Sequence, residues 1–299
     1  MRIGVDIGGT KIEAAALDAG GTIRWRQRAA TPQGDYAGTI ATVQALVAAA
    51  EAEQGQARSV GIAIPGMLSP ETGLVKNANS TCLIGRPFDR DLETALNRPL
   101  RFANDANCFA LSEATDGAAK GAAVVFGVIL GTGVGGGVVV HGRVLTGPNA
   151  IAGEWGHSPL PWPRDDERPG PPCYCGKNGC TETFLSGPGF ARDHHTATRI
   201  EADAGTIAAQ AAAGDREAQD SLARYVDRLA RGLATVINLL DPDVIVLGGG
   251  VGQIEALYDA VPQRWGAYVF SDKVATRLVP PHWGDSSGVR GAAWLWETR

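Results

Sequence analysis

The sequence predicts an α/β protein of two similarly built lobes, and three observations predict it. Short aliphatic runs alternate with segments of helical periodicity, which implies helices layered on sheets. A group of strands interrupted by glycines opens the chain, and the same grammar restarts at Val124. At 299 residues, 44% hydrophobic and 20% charged, the chain has the length for two domains of ordinary size and a common globular composition.

The elements follow in order. Ile3 to Ile7, Lys11 to Leu17 and Thr22 to Ala29 read as strands, separated by Gly8-Gly9-Thr10 and Ala19-Gly20-Gly21. From Tyr36 to Glu53 the apolar positions Ile40, Val43, Leu46, Val47 and Ala50 recur at three and four, which is a helix. Ser59 to Ile64 is a buried strand ending at Pro65-Gly66. Leu92 and Leu96 mark a short helix, and Leu100 to Ala103 a strand. Asn104-Asp105 then stands where an N-cap belongs, opening a helix to about Ala118. Val124 to Leu130 begins the second group, with a turn over Gly131 to Gly137 and strands at Val138 to His141 and Arg143 to Leu145. Asp215 to Leu240 is the strongest helix, one face of it apolar from Ala218 through Leu240. Val244 to Leu247 is a buried strand running into Gly248-Gly249-Gly250, and the last helix spans roughly Ser287 to Trp296.

Glycine-rich linkers near Gly117 to Gly121 and near Gly284 divide the chain. Residues 1–118 form a first lobe, completed by a returning C-terminal helix at 285–299, and residues 119–284 form a second, with a cleft expected between them. Net charge is −5, with no basic stripe, so nucleic acid is not an expected partner. No apolar run reaches the ~20 residues of a membrane helix, and Met1-Arg2-Ile3 enters a strand pattern at once, so a cytoplasmic protein without a membrane partner is expected.

His157, Cys173, Cys175 and Cys180 have the ligand types of a closed tetrahedral zinc site, one that fixes a loop and leaves no position for substrate water. A Cys173 to Cys175 disulfide would close a very small, poorly shaped ring. The stretch from Pro159 to Pro172 is long for an aperiodic connection and needs a tie, which the metal would supply. Glu154 and Glu182 flank this loop, 157–182, and are the groups it positions. Cys82 and Cys108 stand alone and read as small buried hydrophobes.

Three glycine turns follow strands. Asp6-Ile7-Gly8-Gly9-Thr10-Lys11 joins a carboxylate, close-approach amides, a hydroxyl and an ammonium. Lys11 is one of only five lysines among 27 cations, which points to a specific use. Gly131-Thr132-Gly133 offers a second anion-binding concavity, and Gly248-Gly249-Gly250 a flat surface suited to a nucleoside. Together they point to a nucleotide. Gly131-x-Gly133-x-x-Gly136 matches a dinucleotide fingerprint by spelling only, because it precedes a strand. Asn104-Asp105 places a rigid carboxylate and an amide at a helix start, suited to a base and its substrate's hydroxyl.

Taken in order, Asp6 to Lys11, Pro65-Gly66, Asn104-Asp105, Gly131 to Gly133, Glu154 to His157, Cys173 to Cys180 with Glu182, and Gly248 to Gly250 resemble the ROK family of sugar kinases, over nearly the full length. Val75-Lys76-Asn77-Ala78-Asn79-Ser80-Thr81, Trp155 to Trp162 and Gly284 to Gly291 look like bacterial fructokinases, also described as manno(fructo)kinases. The resemblance implies the two-lobed hexokinase and actin-like ATPase fold, of duplicated ribonuclease H-like domains, with a zinc-clipped loop. It implies an ATP- and Mg²⁺-dependent kinase making a hexose 6-phosphate, fructose 6-phosphate first, with mannose or glucose as weaker acceptors and a homodimer as the expected assembly.

Asp105 would be the base. Asn79, Asn104, Glu154, His157 and Glu182 would hold the other hydroxyls, and His157 would also ligate zinc with Cys173, Cys175 and Cys180, tying metal to substrate. Gly8, Gly9, Thr10, Lys11, Gly131, Thr132 and Gly133 would surround the ATP phosphates. Gly248 and Gly249 would lie at the adenosine, and Asp6 would face magnesium through water. The rival readings are an N-acetylglucosamine or glucose kinase with the same machinery, a ROK sugar-responsive regulator, and a silent sugar-binding module. The regulator would need an N-terminal helix-turn-helix, where the first strand already begins at Ile3. The silent module sits poorly with an intact Asn104-Asp105.

Overall fold

A computed structural model describes residues 1–78 and 80–296. In chain order the elements are β1 (Arg2–Ile7), β2 (Lys11–Leu17), β3 (Ile23–Ala30), α1 (Tyr36–Gln54), β4 (Ser59–Ile64), β5 (Met67–Leu68), β6 (Val75–Lys76), α2 (Phe88–Leu96), β7 (Arg101–Asn104) and α3 (Asp105–Thr115). There follow β8 (Val124–Leu130), β9 (Val134–Val140), β10 (Arg143–Val144), α4 (Thr181–Leu185), α5 (Gly187–Thr198), α6 (Ala204–Ala212) and α7 (Arg216–Leu240). The chain ends with β11 (Val244–Gly248), α8 (Ala256–Ala260), α9 (Pro262–Trp265), β12 (Arg277–Val279) and α10 (Ser287–Trp294). Among the described residues, no helix is long and apolar enough to cross a membrane.

The chain divides into two compact units: Met1–Gly121 with Gly137–Ala152 and the segment from His282 onward, and Ala122–Gly136 with Gly153–Pro281. The first is built on a five-stranded sheet of order β3-β2-β1-β4-β7, antiparallel through the opening hairpins and parallel from β1 to β4 and β7. Alternation sends Ile3, Val5 and Ile7 of β1 into a buried cluster with Val43, Leu46 and Val47 of α1. Gly4 and Asp6 point to the opposite face, where α10 lies. A β-carbon on Gly4 would stand 1.9 Å from the Val289 carbonyl oxygen, and one on Gly61 of β4 1.9 Å from that of Ala292. Only glycine lets the helix backbone come down onto the strands there.

Glu113 of α3, fully buried, ties the returning chain to the same unit. It accepts from the backbone N–H of Ala118 at 2.8 Å, from those of His282 and Trp283 at 2.9 and 3.2 Å, and from the Ser287 hydroxyl at 2.7 Å. With this many donors both carboxyl oxygens of the buried side chain are hydrogen-bonded.

The second five-stranded sheet has the order β10-β9-β8-β11-β12, with β11 parallel to both β8 and β12. Every residue of β11 is buried, as its unbroken Val-Ile-Val-Leu run predicts for a central parallel strand. α7 runs 25 residues with Asp215 as its N-cap, the carboxylate accepting from the Ala218 N–H at 2.8 Å, and Asp241 in the left-handed conformation at its C-cap.

Two sequence expectations are corrected here. The turn expected over Gly131 to Gly137 stops at Gly133, and Gly135 to Gly137 lie inside β9. Glycine is required in that strand by close packing: a β-carbon on Gly137 would meet the Ala106 carbonyl oxygen at 2.4 Å, and one on Gly136 that of Gly153 at 2.6 Å. The boundary drawn at 119–284 also shifts, because Gly137–Ala152 belongs with the first unit. Besides the Gly137 contact, the Lys76 ammonium donates to the Asn149 carbonyl at 3.1 Å. Asn79, a sequence-predicted sugar ligand, and positions 297–299 of the expected C-terminal segment lie outside the described residues.

Candidate active site

In the first unit, Asn104 ends β7 and caps α3. Its Oδ1 accepts from the Ala106 N–H at 2.9 Å, while its Nδ2 donates to the Gly66 carbonyl at 3.2 Å. Both ends of the amide are therefore engaged, which leaves one N–H and one lone pair for a ligand. Asp105 is the first residue of the helix and is exposed, with Oδ1 accepting from the same Ala106 N–H at 2.8 Å. The Pro65-Gly66 corner thus serves as the strut that aims the Asn104-Asp105 pair.

Asp6 stands on β1 in register with Glu13 of β2. Its carboxyl lies against the first turn of α10, where a β-carbon on Gly288 would be 2.4 Å from Asp6 Oδ2. Desolvation first, then the charges of Asp105 and Glu13, push its pKa up to about 7, against a smaller opposing pull from Lys11. Asp105 and Lys11 thus act electrostatically on Asp6, and carboxylates that repel are suited to a hydrated dication. Glu13 is itself held by Arg26 and Arg28 at 2.5 and 2.6 Å. The turn between β1 and β2 is closed by the Gly8 N–H donating to the Lys11 carbonyl at 2.9 Å, and braced from outside by Thr31 on the Gly8 carbonyl at 2.7 Å. Gly9, Thr10 and Lys11 remain exposed.

In the second unit, Gly131, Thr132 and Gly133 form a tight turn, the Gly131 N–H donating to the Gly133 carbonyl at 3.0 Å. Glu182, in the first turn of α4, accepts from the Val134 N–H at 2.9 Å. The Gly187 N–H that opens α5 donates to the Gly131 carbonyl at 2.8 Å. Gly249, with φ +81, lies over the Leu130 backbone, where a β-carbon would meet the carbonyl oxygen at 2.3 Å. The glycine turn, the start of α5 and the end of β11 therefore meet at one place. Beside it, Gly250, Ile254 and the α6 and α7 residues Ala208, Ala212 and Leu222 line a largely apolar cavity of about 640 Å³, within the range of nucleoside-sized pockets. The part played by Gly187 was missed in the sequence because Ser186-Gly187-Pro188-Gly189 reads as a plain turn. Ser186 is in fact an N-cap, accepting from the Gly189 N–H at 3.1 Å, with proline just inside the helix.

His157, Cys173, Cys175 and Cys180 come together with their ligand atoms all within 4.8 Å of one another. His157 Nδ1 lies 3.6 Å from Cys173 Sγ, and Cys175 Sγ lies 3.6 Å from Cys180 Sγ. A tetrahedron of 2.3 Å metal–sulfur bonds has sulfur–sulfur edges of about 3.8 Å, so the four residues fit a structural zinc ion. Burial and then its two neighbouring thiols push Cys180 up to about 12, so ionising that thiol calls for a cation. Glu154 precedes the short helical turn of Trp155–His157, and its backbone carbonyl accepts from the His157 N–H at 3.3 Å. The second imidazole nitrogen, Nε2, is bonded to the Tyr174 hydroxyl at 2.8 Å.

The proline-rich stretch has a tie besides the metal cluster. Glu167, buried in that stretch, is bonded by Arg231 at 2.7 and 2.9 Å and by Arg228 at 2.7 Å, both from α7. Arg231 also donates to the Pro161 and Trp162 carbonyls at 3.0 and 2.8 Å. Burial works to raise Glu167, but these guanidinium bonds and the Arg164 N–H outweigh it and hold it at about 2. Charges on the buried face of α7 gave no sign of this in the sequence, since the periodicity there is carried by Leu229, Leu233 and Val236.

A model of the ROK family matches residues 2–299. An N-acetyl-D-glucosamine kinase of Yersinia pseudotuberculosis is 40% identical over 99% of this chain and 98% of its own length. One from Erwinia tasmaniensis is 40% identical over 99% of both chains. A ROK hexokinase from Thermus thermophilus superposes with a TM-score of 0.87 at 32% identity, covering 98% of this chain and 97% of its own. A ROK glucokinase from Streptomyces griseus, solved with glucose and AMPPNP, gives a TM-score of 0.79 at 30% identity over 98% of each chain.

Proposed function

We propose that this chain, which belongs to the ROK family, is an ATP-dependent hexose kinase that phosphorylates the sugar's 6-hydroxyl, with N-acetyl-D-glucosamine as acceptor. Identity of 40% along the whole chain to N-acetyl-D-glucosamine kinases supports that acceptor. It displaces fructose, the acceptor expected from the sequence, which those relatives do not support. Fructose stands as a second reading because Val75 to Thr81, Trp155 to Trp162 and Gly284 to Gly291 are similar to bacterial fructokinases.

One observation carries the kinase chemistry: an exposed carboxylate, Asp105, at the first turn of α3 and in electrostatic reach of Asp6. Asp105 accepts the proton of the 6-hydroxyl as the phosphoryl group arrives. A loose phosphoryl-transfer transition state asks chiefly for alignment and charge neutralisation, so the base need not be strong. Asn79, Asn104, Glu154, His157 and Glu182 hold the remaining sugar hydroxyls. Asp6 would face a magnesium ion, which would supply neutralisation of phosphate charge. Gly8 to Lys11 and Gly131 to Gly133 surround the phosphates, and Gly248, Gly249 and the adjoining cavity take the adenosine. Zinc held by His157, Cys173, Cys175 and Cys180 would fix the loop that Glu154 and Glu182 flank.

A coupled ADP-release assay with ATP and Mg²⁺ tests this across N-acetyl-D-glucosamine, glucose, mannose and fructose. Highest kcat/KM on N-acetyl-D-glucosamine is expected. Robust turnover on fructose with little on N-acetyl-D-glucosamine selects the second reading, and no sugar-dependent ADP release overturns both.

A further inference from the structure

We propose that Thr31 and Gln33 are positioning residues for the terminal phosphates of the nucleotide, an inference that rests on the kinase reading above. The turn between β1 and β2 has three successive carbonyls, those of Gly8, Gly9 and Thr10, and one short segment of chain donates to all of them. The Thr31 hydroxyl donates to the Gly8 carbonyl at 2.7 Å, the Gln33 side-chain amide to the Gly9 carbonyl, and the Thr31 backbone N–H to the Thr10 carbonyl at 3.1 Å. That segment is itself held. The Asp35 N–H donates to the Pro32 carbonyl at 3.3 Å, and Asp35 caps α1, its carboxylate accepting from the Gly38 N–H at 2.9 Å. α1 in turn is seated in the buried cluster through Val43, Leu46 and Val47.

A trans peptide is planar, so the N–H of each residue points opposite to the carbonyl of the residue before it. Drawing the Gly8, Gly9 and Thr10 carbonyls toward Thr31 and Gln33 therefore turns the N–H groups of Gly9, Thr10 and Lys11 away from that segment. The Gly9 and Thr10 N–H groups have no hydrogen-bond partner among the described residues, and Gly9, Thr10 and Lys11 are exposed. Successive backbone N–H groups presented in this way form an anion-binding concavity. A glycine pair adopts φ of either sign at little cost, so nothing within the turn stops a peptide plane from flipping and presenting a carbonyl, which repels phosphate. Thr31 and Gln33 hold the carbonyls back. They fix the direction of the turn's dipoles without touching the ligand.

The test uses Thr31→Val, which removes the hydroxyl at nearly constant shape, Thr31→Ser, which restores it, and Gln33→Leu, which removes the amide at an exposed position. Binding of AMPPNP, of AMP and of the sugar the wild type prefers is measured by calorimetry with Mg²⁺, beside ATP KM and kcat. Thr31→Val and Gln33→Leu are each expected to weaken AMPPNP binding and raise ATP KM roughly five- to tenfold, the loss of one hydrogen bond. Affinity for the sugar, and for AMP, which lacks the terminal phosphates, should stay within about twofold of the wild type. Thr31→Ser should bind AMPPNP as the wild type does. AMPPNP affinity within about twofold of the wild type in both Thr31→Val and Gln33→Leu overturns the proposal. So does an equal loss of AMPPNP and AMP, since the segment would then support the fold and not the phosphates. A wild type that binds no nucleotide is a different failure, that of the kinase reading itself.

Discussion

Gly291 of α10 lies against Cys108 of α3 so closely that a β-carbon on Gly291 would stand 1.7 Å from the Cys108 carbonyl oxygen. Cys108 follows Asp105 by one helical turn, so the backbone of α10 sets the height of the helix that presents the proposed base. Cys108 itself is fully buried, in keeping with the small-hydrophobe reading of a lone cysteine. Gly291→Ala should destabilise the protein by about 1–3 kcal/mol through overpacking and lower kcat more than it raises ATP KM. Thermal denaturation and steady-state kinetics check this. A fully stable, fully active variant would mean that α3 and α10 have slack between them.

Asp6 gives a signed pH prediction. Its pKa is raised from 3.8 to about 7, so the folded state holds this proton more tightly than the unfolded chain. The stability it contributes is full below about pH 4 and is lost as pH rises through 7. Asp6→Asn, which stays neutral, should melt higher than the wild type at neutral pH without magnesium. The margin should grow from pH 4 to 7 and then level off, although turnover is lost. A constant difference in Tm across that range would show that Asp6 is ionised throughout.

Arg231 separates the two ties of the proline-rich stretch. Arg231→Ala leaves buried Glu167 with Arg228 as its remaining guanidinium partner and should cost up to about 3 kcal/mol. Removing metal with a chelator should weaken sugar binding and leave the chain folded, because the Glu167–Arg231 bonds persist. Circular dichroism and sugar calorimetry on both preparations distinguish these outcomes. Since Glu167 is held at about 2, its share of stability is present above pH 4.5 and fades as pH falls through 2. Unfolding on chelation alone would make the metal the dominant tie.

What was legible in the sequence follows from how local each signal is. β2, β4 and β8 are bounded in the sequence as they are in the structure, because a buried strand flanked by glycine or proline declares both its ends. The His157, Cys173, Cys175 and Cys180 cluster could be assembled from ligand types alone, and the structure brings these residues together. Gly135 to Gly137 misled, since the glycines answer to Gly153 and Ala106, which are distant in sequence. α5 was hidden by Gly187-Pro188-Gly189, which looks like a helix breaker. The α7 guanidiniums were hidden by the rule that charge faces water, which fails where Glu167 is buried opposite them. The acceptor sugar was read from short stretches such as Trp155 to Trp162, whereas whole-chain identity favours a different hexose.

The most direct measurement is turnover of Asp105→Asn beside the wild type, on the sugar the wild type prefers, with binding of sugar and ATP followed by calorimetry in the same preparations. The substitution keeps the shape and the helix start, so both ligands should bind with near-normal affinity while kcat falls by roughly 10²–10⁴. Turnover within about twofold of the wild type would contradict the account, because position 105 would then not be where the proton goes.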